Sequence, residues 1–95
     1  MLFVVSCIDK PGALQVRMDN RPAHLEFLDA NKDVVKVGGP YMSEDGTSPT
    51  GSMLIIDAAD RAALDALIAE DPYAKAGLFQ SVDVRPWRRT VGAEL

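Results

Sequence analysis

Two runs of this chain are apolar on both faces, and that constrains the fold more than any other feature. Leu2-Phe3-Val4-Val5-Ser6-Cys7-Ile8 and Ser52-Met53-Leu54-Ile55-Ile56-Asp57-Ala58 carry large and β-branched residues at consecutive positions. A half-exposed strand would alternate; strands of this kind need cover on both sides. The chain has only 95 residues, enough for one domain and too few for two. A domain so short buries roughly 60–65% of its unfolded surface, so a second subunit would add much to its stability.

The segments between and after these runs supply the remaining elements. Asp9-Lys10-Pro11-Gly12 is a turn signal that ends the first strand. From Ala13 to about Lys32 the spacing is helical, with Leu14 and Met18 at i, i+4 and then His24, Phe27 and Leu28. Pro22 falls inside that stretch, and proline suits only the first turn of a helix. A restart at Pro22, capped by Asp19 or Asn20, is therefore expected. Val34 to Gly38 predicts a second strand, ended by Gly38-Gly39-Pro40. Tyr41 to Gly51 is polar and rich in turn residues, which predicts a long loop. After the third strand, Asp60 caps a helix through Glu70 with Leu64, Leu67 and Ile68 on one stripe, and Asp71-Pro72 stops it. Tyr73 to Gly77 predicts one further turn. Leu78 to Pro86 predicts the fourth strand, with Val82 and Val84 facing one way.

The order strand–helix–strand–strand–helix–strand is the ferredoxin-like split motif, an α+β fold with a four-stranded antiparallel sheet and two helices on one face. The doubly apolar strands would be its central pair. Two helices cover one face only, so the other predicts a homodimer packed sheet to sheet. Residues 1–88 then form the single domain and residues 89–95 a loosely held polar tail.

Composition excludes several functions. Ten Lys and Arg against 14 Asp and Glu give a net charge of −4, so no nucleic acid partner is expected, because phosphate backbones need clustered positive charge. Arg85, Arg88 and Arg89 form the only basic cluster, and it is too small. No segment approaches the roughly 20 apolar residues of a membrane helix, and the N-terminal run lacks the basic flank and cleavage site of a signal peptide. No membrane is expected, and the location expected is the cytoplasm. With one cysteine, Cys7, and one histidine, His24, neither a disulfide framework nor a metal site has support.

Few residues carry chemistry. His24 lies on the stripe of Phe27 and Leu28 and so points inward, and imidazole suits proton transfer near neutrality. A lone histidine is more often a part-buried side chain bonded to a backbone carbonyl. Asp71 is in phase with Leu64, Leu67 and Ile68, and a carboxylate aimed at a core needs a partner. His24 would serve, although Asp71 before Pro72 also suits a cap, and one residue can do both with its two oxygens. Ser6, Gly39 and Tyr73 are the candidates for lining a substrate cavity. The ordinary alternatives are strand packing for Ser6 and Cys7, a turn for Gly39 and a packed ring for Tyr73. Asp9, Glu44 and Asp45 are expected to be solvated loop charges.

Six segments stand in an order that resembles the YCII-related proteins: Leu2-Phe3-Val4-Val5, Arg21-Pro22-Ala23-His24-Leu25, Gly38-Gly39-Pro40, Thr50-Gly51-Ser52, Asp71-Pro72-Tyr73 and Val82-Asp83-Val84-Arg85-Pro86-Trp87. The similarity runs from Met1 to about Arg88. It implies a ferredoxin-like domain of the dimeric α+β barrel superfamily, with a histidine–aspartate pair at His24 and Asp71. Relatives of that family include muconolactone-isomerase-like enzymes, and some YCII-type domains are linked to removing hydrogen chloride from chlorinated hydroxyquinols. The implied function is cofactor-free proton transfer, isomerisation or elimination on a small molecule. The alternatives are a non-catalytic ligand-binding or accessory dimer and a purely structural pair.

Overall fold

The computed structural model describes residues 1–94; Leu95, the end of the predicted tail, lies outside the described residues. The elements run β1 (Leu2–Asp9), α1 (Leu14–Ala30), β2 (Val35–Met42), β3 (Pro49–Asp57), α2 (Arg61–Ile68), α3 (Pro72–Lys75) and β4 (Phe79–Trp87). The sheet order is β2-β3-β1-β4, antiparallel throughout. This is the ferredoxin-like α+β fold of the dimeric α+β barrel class. β1 and β3 are indeed the central pair, in the register Phe3–Ile56, Val5–Leu54, Cys7–Ser52.

That register sorts the side chains. Successive strand residues point to opposite faces, so Phe3, Val5 and Cys7 of β1 join Leu54 and Ile56 of β3 and Leu64 of α2 in the core. Leu2, Val4 and Ser6 point the other way with Met53 and Ile55, and all five remain only half-buried. In α2, Asp60 accepts a hydrogen bond from the Ala63 amide at 2.8 Å and caps the helix. The helix ends at Ile68, two residues before the predicted end.

Three expectations need correction. First, α1 is one helix of 17 residues with Pro22 inside it, and Ala13 stands at its N-cap without a side-chain bond. Asp19 and Asn20 bond back into the helix instead: Asp19 accepts from Gln15 at 2.7 Å and Asn20 donates to the Val16 carbonyl at 2.8 Å. Pro22 lies on an exposed face, where water can satisfy the carbonyl it leaves unbonded. Packing of the opposite face then outweighs the ~3 kcal/mol that an internal proline costs.

Second, the fully buried side chains of α1 are polar, although Leu28 packs against the core as expected. Leu14 and Met18 are about half exposed, whereas Arg17 and His24, seven positions apart, are 4% and 6% exposed.

Third, both ends of the predicted loop are sheet. β2 continues through Gly38-Gly39-Pro40 to Met42, and β3 begins at Pro49, with Tyr41 opposite Gly51. As an edge strand, β2 tolerates Pro40. Backbone pairing needs no apolar side chains, so the polar composition concealed it. Gly51 is required here, because a Cβ would collide with the Cys7 carbonyl oxygen. The true loop, residues 43–48, is tied by Asp45, whose carboxylate accepts from the Ser43 hydroxyl at 2.6 Å and from the Thr47 hydroxyl and amide. Those bonds, Ser43 foremost, hold the Asp45 carboxyl below its ordinary range.

Candidate active site

His24 is carried inward by the middle of α1, and Asp71 by the extended residue that opens α3. Their side chains meet at 2.8 Å, His24 Nδ1 to Asp71 Oδ1, both buried. A carboxylate oxygen only accepts, so Nδ1 holds the proton of that bond. The same Oδ1 accepts the Tyr73 amide at 2.9 Å and caps α3. Capping and pairing thus share one oxygen, where the sequence suggested one role for each. Pro72 suits the first turn of α3, where no amide hydrogen is needed.

Tyr73 is the floor of the arrangement. Its ring stacks on the imidazole, with centroids 3.8 Å apart and planes 16° from parallel. The Arg17 guanidinium carbon lies 4.6 Å from the same centroid. Burial raises the Tyr73 phenol above its ordinary value, although the nearby Arg17 and Arg21 charges pull against it.

Arg17 was not singled out by the sequence, nor was Asp9 as its partner. Arg17 Nε donates to Asp9 Oδ2 at 2.7 Å, Nη2 to Asp9 Oδ1 at 3.0 Å, and Nη2 also to Ser52 Oγ at 2.8 Å. This bidentate pair is nearly dry, with side chains 5% and 7% exposed. Burial works against the guanidinium charge, but the Asp9 bonds more than offset it and its pKa is raised. Asp9 was expected in solvent; the last residue of β1 instead turns under α1. The available signal was the spacing, since Arg17 lies two helical turns before His24.

A cavity of about 400 Å³ opens beside these groups, between α1 and the β2–β3 edge, a volume that suits a small organic ligand. Arg17, His24, Ser52 and Tyr73 reach it, with Met18, Leu25, Leu28, Pro40 and Met42 as apolar wall. Asp71 is not in that wall; it stands behind the imidazole. No buried side-chain nitrogen or oxygen among the described residues lacks a partner, and the only bond of the His24 ring is at Nδ1. Nε2 is therefore the atom open to the cavity. Gly38 helps to make the space, for a Cβ there would press to 2.6 Å from Leu54 Cδ2.

The structure brings His24, Asp71, Tyr73 and Gly39 to this region and leaves Ser6 out. Ser6 points to the opposite face of the sheet, where its hydroxyl shares a 2.9 Å hydrogen bond with that of Tyr41. Cys7 faces the core; burial first, then the Asp71 and Asp9 charges, push its thiol up to about 12. Among the described residues no group of three or more His, Cys, Asp or Glu is placed to hold a metal ion, and no helix is long and apolar enough to cross a membrane.

Known proteins share this framework. The chain is 33% identical over 96 residues to protein YciI of Escherichia coli, covering 94% of this chain and 98% of that one. It superposes with a TM-score of 0.88 on 5-chloro-2-hydroxyhydroquinone dehydrochlorinase from Burkholderia phenoliruptrix AC1100, solved in complex with 2,5-dihydroxybenzoquinone. There the identity is 39%, with 95% of this chain and 96% of that one covered. An antibiotic biosynthesis monooxygenase-like protein of Bacteroides thetaiotaomicron shares the fold alone, at a TM-score of 0.61 and 18% identity over 100% of this chain and 94% of that one. The YCII-related domain matches residues 1–88, and the chain belongs to that family.

Proposed function

We propose that this protein catalyses proton transfer on a small ring-containing molecule, in an elimination or isomerisation, with His24 as general base and acid. One observation carries the reading: the imidazole is held at Nδ1 by Asp71 while Nε2 opens on a ligand-sized cavity. With its proton fixed at Nδ1, the ring presents a lone pair at Nε2. Asp71 orients the ring and stabilises the imidazolium that forms when Nε2 takes a proton. The Tyr73 stack keeps the ring from turning.

In an elimination, Nε2 removes a proton from the substrate, the electron pair moves through the ring, and the leaving group departs with the pair of its own bond. In an isomerisation the same nitrogen returns the proton at another atom. Either path builds negative charge on a ring oxygen. Arg17, a buried cation at the cavity wall, supports that charge, and Asp9 and Ser52 hold it in place. The likeness to a dehydrochlorinase over nearly the whole chain favours elimination.

The test is chloride release from 5-chloro-2-hydroxyhydroquinone and related chlorinated hydroxyquinols. Wild type is expected to turn over, and His24→Ala to lose about 100-fold or more. Equal rates in the two would overturn the assignment. Binding without product in wild type would instead make this a ligand-binding protein.

We infer that the working form is a homodimer. Leu2, Val4, Met53 and Ile55 form a half-exposed apolar face with no helix over it, and a second copy covers such a face by sheet-on-sheet packing. Sedimentation should give twice the chain mass, falling to one chain mass in Ile55→Asp. A monomeric wild type would sink this inference.

A further inference from the structure

The cavity wall holds two arginines and a histidine but no carboxylate, in a chain where acids outnumber bases 14 to 10. The two arginines are not equivalent. Arg17 is committed, with Nε and Nη2 bonded to Asp9 and Ser52 and its charge offset by Asp9. Arg21 is exposed, lines the same cavity, and has no ion-pair partner among the described residues. It lies four positions after Arg17 and three before His24 on one helix. Residues so spaced have Cβ atoms about 5–6 Å apart, which is close to the width of a six-membered ring with oxygens at opposite corners.

We propose that Arg21 is a specificity residue: it selects a planar ring bound as an anion, by pairing with an ionised oxygen on the side of the ring away from His24. The proposal rests on the cavity being the substrate site. The reacting end of the ring then meets Nε2, and Met18, Leu25 and Met42 flank its body. Because no carboxylate among the described residues pairs with Arg21, it is free to pair with an anionic ligand. A neutral ring of the same shape would leave Arg21 in solvent and gain nothing from its charge. The influence of Arg21 on the Tyr73 phenol is consistent with its charge reaching the floor of the cavity.

The experiment is equilibrium binding to the full chain by calorimetry, with two probes. One is 2,5-dihydroxybenzoquinone, an acidic ring that is ionised at neutral pH; the other is hydroquinone, which is neutral there. Wild type is expected to prefer the anion by about tenfold or more, the scale of one charge-assisted contact. Arg21→Gln should lose that preference while keeping its hydroquinone affinity, and Arg21→Lys should keep part of it. Added salt should weaken anion binding in wild type more than in Arg21→Gln. No anion preference in wild type, or equal affinities and salt slopes in the two proteins, would overturn the proposal. Turnover is read separately, as chloride release, so the outcomes separate cleanly. Arg21-dependent anion binding without product would defeat the enzyme reading alone, and turnover without Arg21 dependence would defeat this inference alone.

Discussion

Arg17 and His24, two helical turns apart on α1, both close on the Tyr73 ring, at 4.6 Å and 3.8 Å from its centroid. A cation and an imidazole are thus set at one cavity wall against a ring that is almost wholly buried. Tyr73 belongs as much to the core as to the site. Tyr73→Ala should cost about 3–5 kcal/mol of stability, as truncation of a buried aromatic does, whereas Tyr73→Phe keeps the stack and should cost about 1 kcal/mol or less. Urea unfolding measures both. A mild Tyr73→Ala would mean that the site closes up without the ring.

The Asp71 bond makes a spectroscopic prediction. His24 is the single histidine, so its ring nitrogens need no assignment. Nitrogen NMR should show one neutral tautomer, protonated at Nδ1, in wild type, and a mixture in Asp71→Ala. Turnover should fall by about 100-fold or more in that variant. A single unchanged tautomer without Asp71 would show that the carboxylate does not set it.

Asp9 and Arg17 separate stability from activity. Asp9→Ala leaves a buried guanidinium unpaired and should cost about 3–5 kcal/mol. The double variant Asp9→Leu/Arg17→Met removes both charges and should recover most of that loss, since a buried pair is often replaceable by apolar groups. It should nonetheless be inactive, because the buried Arg17 cation is gone from the cavity wall. Activity in the double variant would remove Arg17 from the mechanism.

Cys7 predicts an alkaline weakness. Its thiol is pushed up to about 12 by burial, against 9.0 for an ordinary thiol. Between those values the unfolded chain gives up a proton that the native state keeps, so stability falls as pH rises. The contribution is complete below about pH 9 and lost on approaching pH 12. Cys7→Ala should flatten this decline in urea midpoints, leaving the slope from Tyr73, whose phenol is shifted the same way. The native thiol should also resist alkylating reagents at pH 8, and rapid labelling there would contradict its burial.

Legibility in the sequence followed the source of each interaction. Doubly apolar strands, the Asp60 cap and the Leu64, Leu67, Ile68 stripe are local signals, and together they determined the order of elements and the central position of β1 and β3. The inward direction of His24 and Asp71 also came from local phase, because helical spacing alone says which side chains share a face.

Contacts between distant segments were decided only by the tertiary structure. Asp9 at a strand end and Arg17 in a helix look like surface charges until folding buries them against each other, and no spacing rule joins charges across elements. The ladder of β2 with β3 runs through glycine, proline and serine, since backbone hydrogen bonds hold it without apolar side chains. Packing carries α1 through Pro22, which the sequence marks as a break. Ser6 illustrates the limit: its place on β1 was evident, but which face looks toward the cavity depended on where α1 lands. Local chemistry determined the elements and their inward faces; long-range packing decided which of those faces meet around the cavity.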